Sequence, residues 1–217
     1  MLWGSALAMG TESFRRRNDQ GEAIALALYA SKQMVESFLI RSDTTECEEI
    51  TGTDFNNKWE MAKYMLTGKP IGCFNLAANW APEAIKTAHE ALDIDSTKLS
   101  KQAISCASEV IKKMGGTDEE AVMVAGFAGG LGLSGSGCGA LGAAIWKTTL
   151  ELIKIGEWKY TTSNPTFDKI VEKFYEASDY KMECSEICGK TFNSIEEHTE
   201  YIKNGGCKKI IETVATA

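Results

Sequence analysis

The sequence has few histidines, few prolines and no segment with the alternation of a β-strand. Its 217 residues include two histidines, His89 and His198, and three prolines. Both histidines lie in helical patterns among charged residues, and we interpret them as ordinary surface or boundary residues. Serine–histidine and cysteine–histidine catalysis therefore have little support. Because helical periodicity recurs along the chain while strand alternation does not, the sequence predicts an all-α fold.

Positive charge is also scarce. The chain has 23 Lys and Arg residues against 30 Asp and Glu residues, which gives a formal net charge of −7. Nucleic acids and anionic membrane surfaces require a basic face, so neither is an expected partner. Hydrophobic residues make up 44% of the chain, which is enough for the core of one domain with an N-terminal extension.

The helical pattern divides the chain into two units without a low-complexity linker. Residues 1–95 are predicted to form an N-terminal helical layer, and residues 96–217 a compact multi-helix bundle. Capping side chains and first-turn prolines mark the expected helix starts. These residues are Asn18 or Asp19, Pro82, Thr117 with Glu120, Asn164 with Pro165, and Ser194 with Glu197. The polar segment of residues 45–57 is predicted to be a loop.

The first ten residues, MLWGSALAMG, are apolar. They contain Ala6-Leu7-Ala8, which is similar to the small-residue cleavage site of an export signal, although no basic segment precedes it. We expect residues 1–8 to be the remnant of an export signal and the protein to be periplasmic. The alternative is a cytoplasmic protein with a frayed N-terminus.

Residues 130–146, GLGLSGSGCGALGAAIW, are rich in glycine and carry no charge. The uncharged run around them, residues 121–146, is long enough to cross a bilayer, but glycine is costly inside a helix, so no membrane span is predicted. Gly130, Gly132 and Gly135 match a dinucleotide-binding pattern. That motif needs a parallel sheet, for which the sequence offers no other strands.

The favoured interpretation of this stretch is a close-packed turn that presents a thiol. One helix is predicted to end near Phe127, and the next to begin around Cys138. The dipole and free N–H groups of a helix N-terminus stabilise a thiolate, so we expect Cys138 to have a low pKa. The small residues that follow leave room for another helix, a cofactor or a second copy of the chain, so we also expect a homodimer.

Seven cysteines are many for a chain of this length, and an odd number cannot all pair within one chain. No C-x-x-C pair typical of zinc sites and no C-x-x-C-H typical of covalent haem occurs. Cys184 and Cys188 lie four residues apart, so on a helix they share one face. The seven are Cys47, Cys73, Cys106, Cys138, Cys184, Cys188 and Cys207.

From about Ala103 to the C-terminus, the chain resembles a family of redox-active proteins named for its cysteine pattern, C_GCAxxG_C_C. The family's first cysteine helix is similar to ISCASEVIKKMGG, and its glycine motif to CGALGA at residues 138–143, where the last glycine comes one residue early. The third and fourth cysteines correspond to CSEICG and CKKII. The metal-ligating set implied by the resemblance is Cys106, Cys138, Cys184 and Cys207.

The resemblance also implies a function. Some family members carry twin-arginine export signals, which implies a prosthetic group that is inserted before export by that route. We expect a cysteine-ligated iron–sulfur cluster, with [2Fe–2S] favoured and [4Fe–4S] as the alternative. The expected role is electron transfer to or from a redox partner protein, rather than stand-alone catalysis.

Four further residues are candidates for binding the cofactor. Gly137 and Gly139 would supply backbone N–H groups that tune its potential. Cys73 and Cys188 would be auxiliary ligands, although Cys188 is equally explained as filling an aliphatic position of the family motif.

Two other functions stay open at this point. The first is a cofactor-free protein that cycles a disulfide between Cys138 and either Cys106 or Cys184. The second is a structural zinc-binding helical domain.

Overall fold

The computed structural model describes residues 1–159 and 164–217, and it confirms the all-α fold. The described residues contain no strand, and one isolated antiparallel bridge pairs Gly137 with Glu183. Two short 3₁₀ turns span Ser96–Lys98 and Ala125–Phe127. The α-helices are α1 Leu2–Arg16, α2 Gln20–Ser42, α3 Cys47–Thr51, α4 Lys58–Leu66, α5 Lys69–Leu92, α6 Cys106–Lys113, α7 Asp118–Met123, α8 Gly139–Lys154, α9 Pro165–Ala177, α10 Cys184–Cys188, α11 Ile195–Lys203 and α12 Lys208–Ala215.

Three of the predicted helix starts are confirmed. The Asp19 side chain caps α2, and Asn164 caps α9, with Pro165 in its first turn. Thr117 and Glu120 form a complete capping box at the start of α7. Each of these signals is local, because the capping side chain satisfies an N–H group within three residues of itself.

The start of α11 is only partly as predicted. The Ser194 side chain accepts a hydrogen bond from the Glu197 N–H, as a cap should. The Glu197 carboxylate does not complete a capping box. It accepts a hydrogen bond from the Asn193 N–H and pairs with Lys190.

The prediction of a loop over residues 45–57 is wrong in part, because this segment contains α3. Glu48 and Glu49 lie in its first turn, where negative charge favours the helix dipole. Gly52 ends the helix in the left-handed conformation. One turn of helix leaves too little apolar periodicity to be recognised from the sequence.

The prediction that Pro82 lies in the first turn of a helix is wrong, because Pro82 lies inside α5. Proline removes the hydrogen bond to the carbonyl four residues earlier, which here belongs to Ala78. Both residues are exposed, so water can donate a hydrogen bond to the Ala78 carbonyl. On the opposite side, Trp80 is buried against Phe38, and its Nε1–H donates to Ser37 Oγ at 3.1 Å. The buried face holds α5 in place across the proline.

One hydrophobic core contains residues from both of the predicted units. α2 supplies a fully buried run over residues 23–28, and it packs against α1, α5 and the second 3₁₀ turn. α6, α8 and α12 pack together on the C-terminal side of the core. Separate folding of residues 1–95 and 96–217 stays a prediction.

Within the described residues, one segment, residues 20–51, is long and apolar enough to cross a membrane by length and composition. Of its most apolar window, 67% is buried inside the protein. That burial is typical of a core helix, which is apolar on most of its circumference.

The glycine-rich stretch is a left-handed turn between two helical segments. It follows the 3₁₀ turn that ends at Phe127, and α8 follows with Cys138 as its N-cap, so both predicted boundaries are confirmed. Residues 121–146 are therefore not one continuous helix, and no strand leads into the turn. Leu131 and Leu133 have positive φ, which costs about 1–2 kcal/mol each, but both side chains are buried.

A buried ion pair crosses the C-terminal half of the core. Lys147 Nζ in α8 lies 2.7 Å from Glu120 in α7 and 2.6 Å from Glu151 one turn further along α8. Lys154 also contacts Glu120, at 3.1 Å. Only 5% of Lys147 and 8% of Glu120 are exposed, so each charge depends on its partners for compensation.

Candidate metal centre

Five of the seven cysteines form one group, here called the thiol site. The Sγ atoms of Cys184 and Cys188 are 3.9 Å apart, and those of Cys188 and Cys207 are 3.7 Å apart. Cys106 and Cys138 act electrostatically on these thiols. The structure thus brings together all four cysteines of the predicted ligand set, and it adds Cys188.

α6 and α8 each begin at a thiol of this site. Cys106 is the first residue of α6, whose cap is Ser105. The Ser105 hydroxyl accepts a hydrogen bond from the Ser108 N–H and donates one to the Ala125 carbonyl at 3.0 Å. This pair of bonds fixes the start of α6 against the 3₁₀ turn that leads to the glycine-rich stretch and Cys138.

The antiparallel bridge sets the register of two thiols. The Cys138 N–H donates to the Met182 carbonyl at 3.0 Å, and the Cys184 N–H donates to the Ser136 carbonyl at 2.8 Å. These two hydrogen bonds join the backbone just before α8 to the backbone just before α10. They therefore fix the positions of Cys138 and Cys184 relative to each other.

The remaining thiols come from α10 and α12. Cys188 is the last residue of α10, and Cys207 is the N-cap of α12. Cys207 has a φ of 58°, a conformation that costs a non-glycine residue about 1–3 kcal/mol. Strain of this kind persists where the surrounding structure fixes the backbone, and here it turns the chain from Gly206 into α12.

Burial raises the pKa of Cys106 to about 12 and also raises that of Cys138. The N–H groups of Leu141 and Ala140 at the start of α8 act to lower the pKa of Cys138, as expected at a helix N-terminus. The predicted low pKa is nevertheless wrong for the metal-free protein, because loss of water around a buried thiolate outweighs the helix.

Cys188 behaves in the opposite way. Hydrogen bonds from the Cys184 and Cys207 thiols lower its pKa, and the Tyr201 hydroxyl acts in the same direction. The pKa values of the two outer thiols are raised because they serve as donors to Cys188, with burial adding to the shift. Deprotonation of the row of three therefore begins at its central sulfur.

The donor chemistry of the site fits a thiolate-ligated group. Four thiolates bind iron–sulfur clusters and structural zinc alike, and binding displaces the thiol protons. Cys106, Cys138 and Cys184 are each less than 9% exposed, so a bound group would be shielded from water. Among the described residues, no three His, Cys, Asp or Glu side chains converge closely enough to hold a single metal ion.

A comparison with protein-family models identifies the group to which these cysteines belong. The model described as "Putative redox-active protein (C_GCAxxG_C_C)" matches residues 101–217, just over half of the chain. The chain belongs to the C_GCAxxG_C_C family. All five cysteines of the thiol site lie within the matched residues. The comparisons found no match among curated proteins and none among solved structures.

The glycines of the C_GCAxxG_C_C motif allow close packing around Cys138. Gly137 lies in the bridge, and Gly139 is the first residue of α8. A Cβ atom on Gly142 would lie 2.8 Å from the indole ring of Trp3, which also packs edge-on against Phe127. The small-residue face of α8, predicted to receive a second copy of the chain, is therefore partly covered by α1 of the same chain.

The other two cysteines lie apart from the thiol site. Cys73 Sγ is 3.3 Å from the Tyr64 hydroxyl, and Cys47 is exposed at the start of α3. Within the described residues, no hydrogen bond joins Cys73 to any of the five thiols. The structure therefore does not bring Cys73 to the cysteines of the C_GCAxxG_C_C pattern, whereas it places Cys188 beside Cys184 and Cys207.

His198 is the residue of the C_GCAxxG_C_C site that sequence reasoning missed. His89 is exposed, as predicted, but the prediction of a surface or boundary position for His198 is wrong, because it is 1% exposed. Its Nδ1 lies 3.3 Å from the Ile104 carbonyl, and a positive charge on its ring would lower the pKa of Cys188. The signal was its spacing, since Ile195, His198 and Ile202 recur at helical intervals on one stripe.

Burial of His198 predicts a pH-dependent stability. Burial lowers its pKa from 6.5 to about 4. Between these values the unfolded chain binds a proton that the folded chain excludes, so stability falls as the pH falls through this window. We expect the metal-free protein to lose about 2–4 kcal/mol of unfolding free energy between pH 6.5 and pH 4.

Urea unfolding across this pH range measures the effect. The matched variant is His198→Asn, which does not titrate but keeps an N–H donor for the Ile104 carbonyl. The slope should be smaller in the variant by the share that His198 contributes, while the lowered pKa of Cys188 leaves a residual slope in both proteins. An equal slope in both proteins would show that other groups cause it.

Proposed function

We propose that the protein carries a cysteine-ligated iron–sulfur cluster and transfers electrons to or from a redox partner protein. The ligands are Cys106, Cys138, Cys184 and Cys207, and [2Fe–2S] is favoured. The observation that carries the proposal is that these four thiols, three of them buried and Cys207 partly exposed, come from four separate elements into one group, within a family described as redox-active.

Each part of the chain has a defined task in this proposal. An iron–sulfur cluster supplies reversible one-electron chemistry when it is bound. The four cysteines hold it as thiolates, and the core around α6 and α8 excludes water from it. The N–H groups of Gly137, Gly139 and the first turn of α8 would be available to donate hydrogen bonds to the cluster, which would raise its reduction potential.

Electrons would pass between the cluster and the partner protein at the cavity beside the antiparallel bridge of Gly137 and Glu183. This cavity has a volume of about 330 Å³, and Gly137 and Glu183 form part of its wall. These residues directly precede Cys138 and Cys184, so the cavity brings a partner within a few bonds of two ligands. Export of the folded, loaded protein by the twin-arginine route remains part of the proposal.

Reconstitution of the metal-free chain with iron and sulfide tests the ligand set. Single Cys→Ser changes at the four proposed ligands should reduce the visible absorbance and the iron content to a small fraction of the wild-type values. Cys47→Ser is the matched control and should load fully, because Cys47 lies outside the thiol site. Full loading of all four ligand variants would overturn the assignment.

The same experiment separates the two other functions. Uptake of zinc without iron would favour a structural zinc domain. Failure to take up either metal, with a reversible loss of two thiols upon oxidation, would favour a cofactor-free disulfide protein.

A further inference from the structure

Cys188 belongs to the thiol site but is not one of the four proposed ligands. It lies between two of the ligands, 3.9 Å from Cys184 and 3.7 Å from Cys207. It is also more accessible than Cys184, which is 7% exposed. A reagent from solvent therefore reaches Cys188 more easily than it reaches Cys184.

The two neighbours of Cys188 are not equivalent. Cys184 and Cys188 are the first and last residues of α10, so their side chains leave one helix face side by side, a poor geometry for a disulfide. Cys207 belongs to a different element. Gly189 directly follows Cys188, and nothing lies within 4 Å of the position its Cβ would take, so the Cys188 side has room to adjust. Closing a bond of about 2.0 Å requires the sulfurs of Cys188 and Cys207 to approach by less than about 2 Å.

We infer that the metal-free protein forms a disulfide between Cys188 and Cys207 by exchange with a small disulfide, of which oxidised glutathione is the test case. Cys188 attacks one sulfur of the small disulfide, and one small thiol leaves with the proton of Cys188. Cys207 then attacks Cys188, and the second small thiol leaves with the proton of Cys207. Two protein thiols are oxidised and one small disulfide is reduced to two thiols.

The disulfide competes with the cofactor, and this consequence rests on the proposed function. Cys207 is a proposed ligand, so the oxidised pair and the loaded cluster exclude each other. Cys188 thereby makes loading depend on the thiol–disulfide balance of the surroundings. A chain with only four cysteines at this site would have no spare thiol for this purpose.

Thiol mapping of the metal-free full chain tests the disulfide itself. After treatment with oxidised glutathione, the remaining thiols are alkylated and the digested peptides are analysed by mass spectrometry. We expect a linked pair of peptides containing Cys188 and Cys207, lost in Cys188→Ser and kept in the control Cys47→Ser. A Cys184–Cys188 link, or stable glutathione adducts without an internal disulfide, would overturn the inference.

A second arm separates this inference from the proposed function. Reduced protein should take up iron and sulfide, whereas oxidised protein should take up several-fold less, and Cys188→Ser should load equally with or without oxidant. If reduced wild-type protein takes up no iron, the proposed function fails, while the linked peptides would still stand.

The outer face of α5 carries a second, independent inference. Ile71, Phe74 and Ile85 are 63%, 72% and 61% exposed, and Ala78 and Pro82 lie exposed between them. The opposite face of α5 is buried at Trp80, Ala84 and Ala91. A helix that is apolar on both faces is normally covered on both.

The exposed stripe is symmetric about Ala78. Phe74 and Pro82 each lie four residues from it, and Ile71 and Ile85 each lie seven residues from it. A two-fold axis through Ala78 would therefore set Phe74 against Pro82 of a second copy, and Ile71 against Ile85 of that copy. This is the self-complementarity that an isologous interface requires, and the small Ala78 lets the two helices approach closely.

The area of the stripe suits a dimer. α4 packs against α5, and its side chains Trp59 and Leu66 add apolar surface to this end of the molecule, each 86% exposed. The aromatic side chains Phe74 and Trp59 can each bury about 150–250 Å². With the aliphatic side chains of the stripe they approach the roughly 600–1,000 Å² per partner that specific interfaces bury. Residues 70–82 carry no charge that would oppose such packing.

We propose that α5 pairs in antiparallel orientation with α5 of a second copy, around an axis at Ala78. Sedimentation velocity at micromolar concentration should show a dimer. Ile71→Lys and Ile85→Glu should each weaken it about tenfold or more, and the double variant should recover most of the affinity because the new charges face each other across the axis.

The control is Ile153→Lys in α8, which is 54% exposed and lies outside the stripe, and which should leave the dimer unchanged. A wild-type monomer, a double variant without recovery, or binding to neutral phosphatidylcholine vesicles in place of self-association would overturn the proposal.

Discussion

Lys147→Met should lower the free energy of unfolding by about 3–5 kcal/mol. The change removes the ammonium that lies 2.7 Å from the buried Glu120 carboxylate. The buried Glu120 carboxylate still lacks hydration in the variant, but it has lost the ammonium group that compensated for this loss. Lys154 still reaches its other oxygen at 3.1 Å, but that lysine is half exposed and compensates less. Chemical denaturation of the two proteins at neutral pH measures the difference.

A second variant distinguishes the charge from the packing. Glu120→Gln in the Lys147→Met background removes the stranded carboxylate, while the glutamine can still serve the capping box of α7. The double variant should recover a large part of the loss. The control is Lys112→Met, whose exposed pair with Glu109 should contribute less than about 1 kcal/mol. A double variant as unstable as Lys147→Met would show that lost packing, not charge, is responsible.

The same ion pair predicts behaviour in acid. Burial acts to raise the pKa of Glu120, but the hydrogen bonds from Lys147, Thr117 and Lys154 outweigh it and bring the pKa to about 2. Because the folded value lies below 4.5, the stabilisation is present above pH 4.5 and is lost as the pH falls toward 2. This window lies mostly below that of His198, so the two effects separate in a pH series.

Gly139→Ala should destabilise the protein by about 3 kcal/mol, at the upper end of the range for overpacking. A Cβ atom on Gly139 would clash with the Phe127 carbonyl oxygen, and the backbone cannot rotate away as a side chain can. The start of α8 would have to move, and Cys138 would move with it. We therefore expect reduced cluster loading as well as a lower unfolding free energy.

Gly4→Ala is the matched control for Gly139→Ala. Gly4 lies inside α1, and nothing lies within 4 Å of the position its Cβ would take. Alanine there should stabilise the protein by about 0.5–1 kcal/mol, because it restricts the unfolded chain and favours the helix. Similar stabilities for the two variants would contradict the close approach of α8 to Phe127.

What the sequence could predict depended on the range of the interaction. Helix caps at Asp19, Thr117 and Asn164 were predictable because each cap acts within a few residues of itself. Pro82 was misassigned because its place inside α5 depends on Trp80 packing against a distant helix. The α3 turn was missed because one turn of helix leaves no periodicity.

For the candidate site, too, some features could be predicted from the sequence and others could not. Cysteine spacing and the family resemblance indicated which thiols belong together. They gave no sign that burial would raise the pKa of Cys138 against the effect of the helix N-terminus. Cys188 could be named only as an auxiliary ligand, and His198 was predicted at the surface or boundary although its helical spacing indicated burial. The positions of both follow from how α10, α11 and α12 meet in space rather than from neighbouring residues.

The most direct test of the iron–sulfur proposal is the metal content of the wild-type protein purified without oxygen. Iron, acid-labile sulfide and zinc per chain should be measured beside a visible spectrum and electron paramagnetic resonance of the reduced sample. A [2Fe–2S] protein should contain about two iron and two sulfide ions per chain and give a signal only after reduction. Zinc alone, or seven free thiols with neither iron nor sulfide, would contradict the proposal.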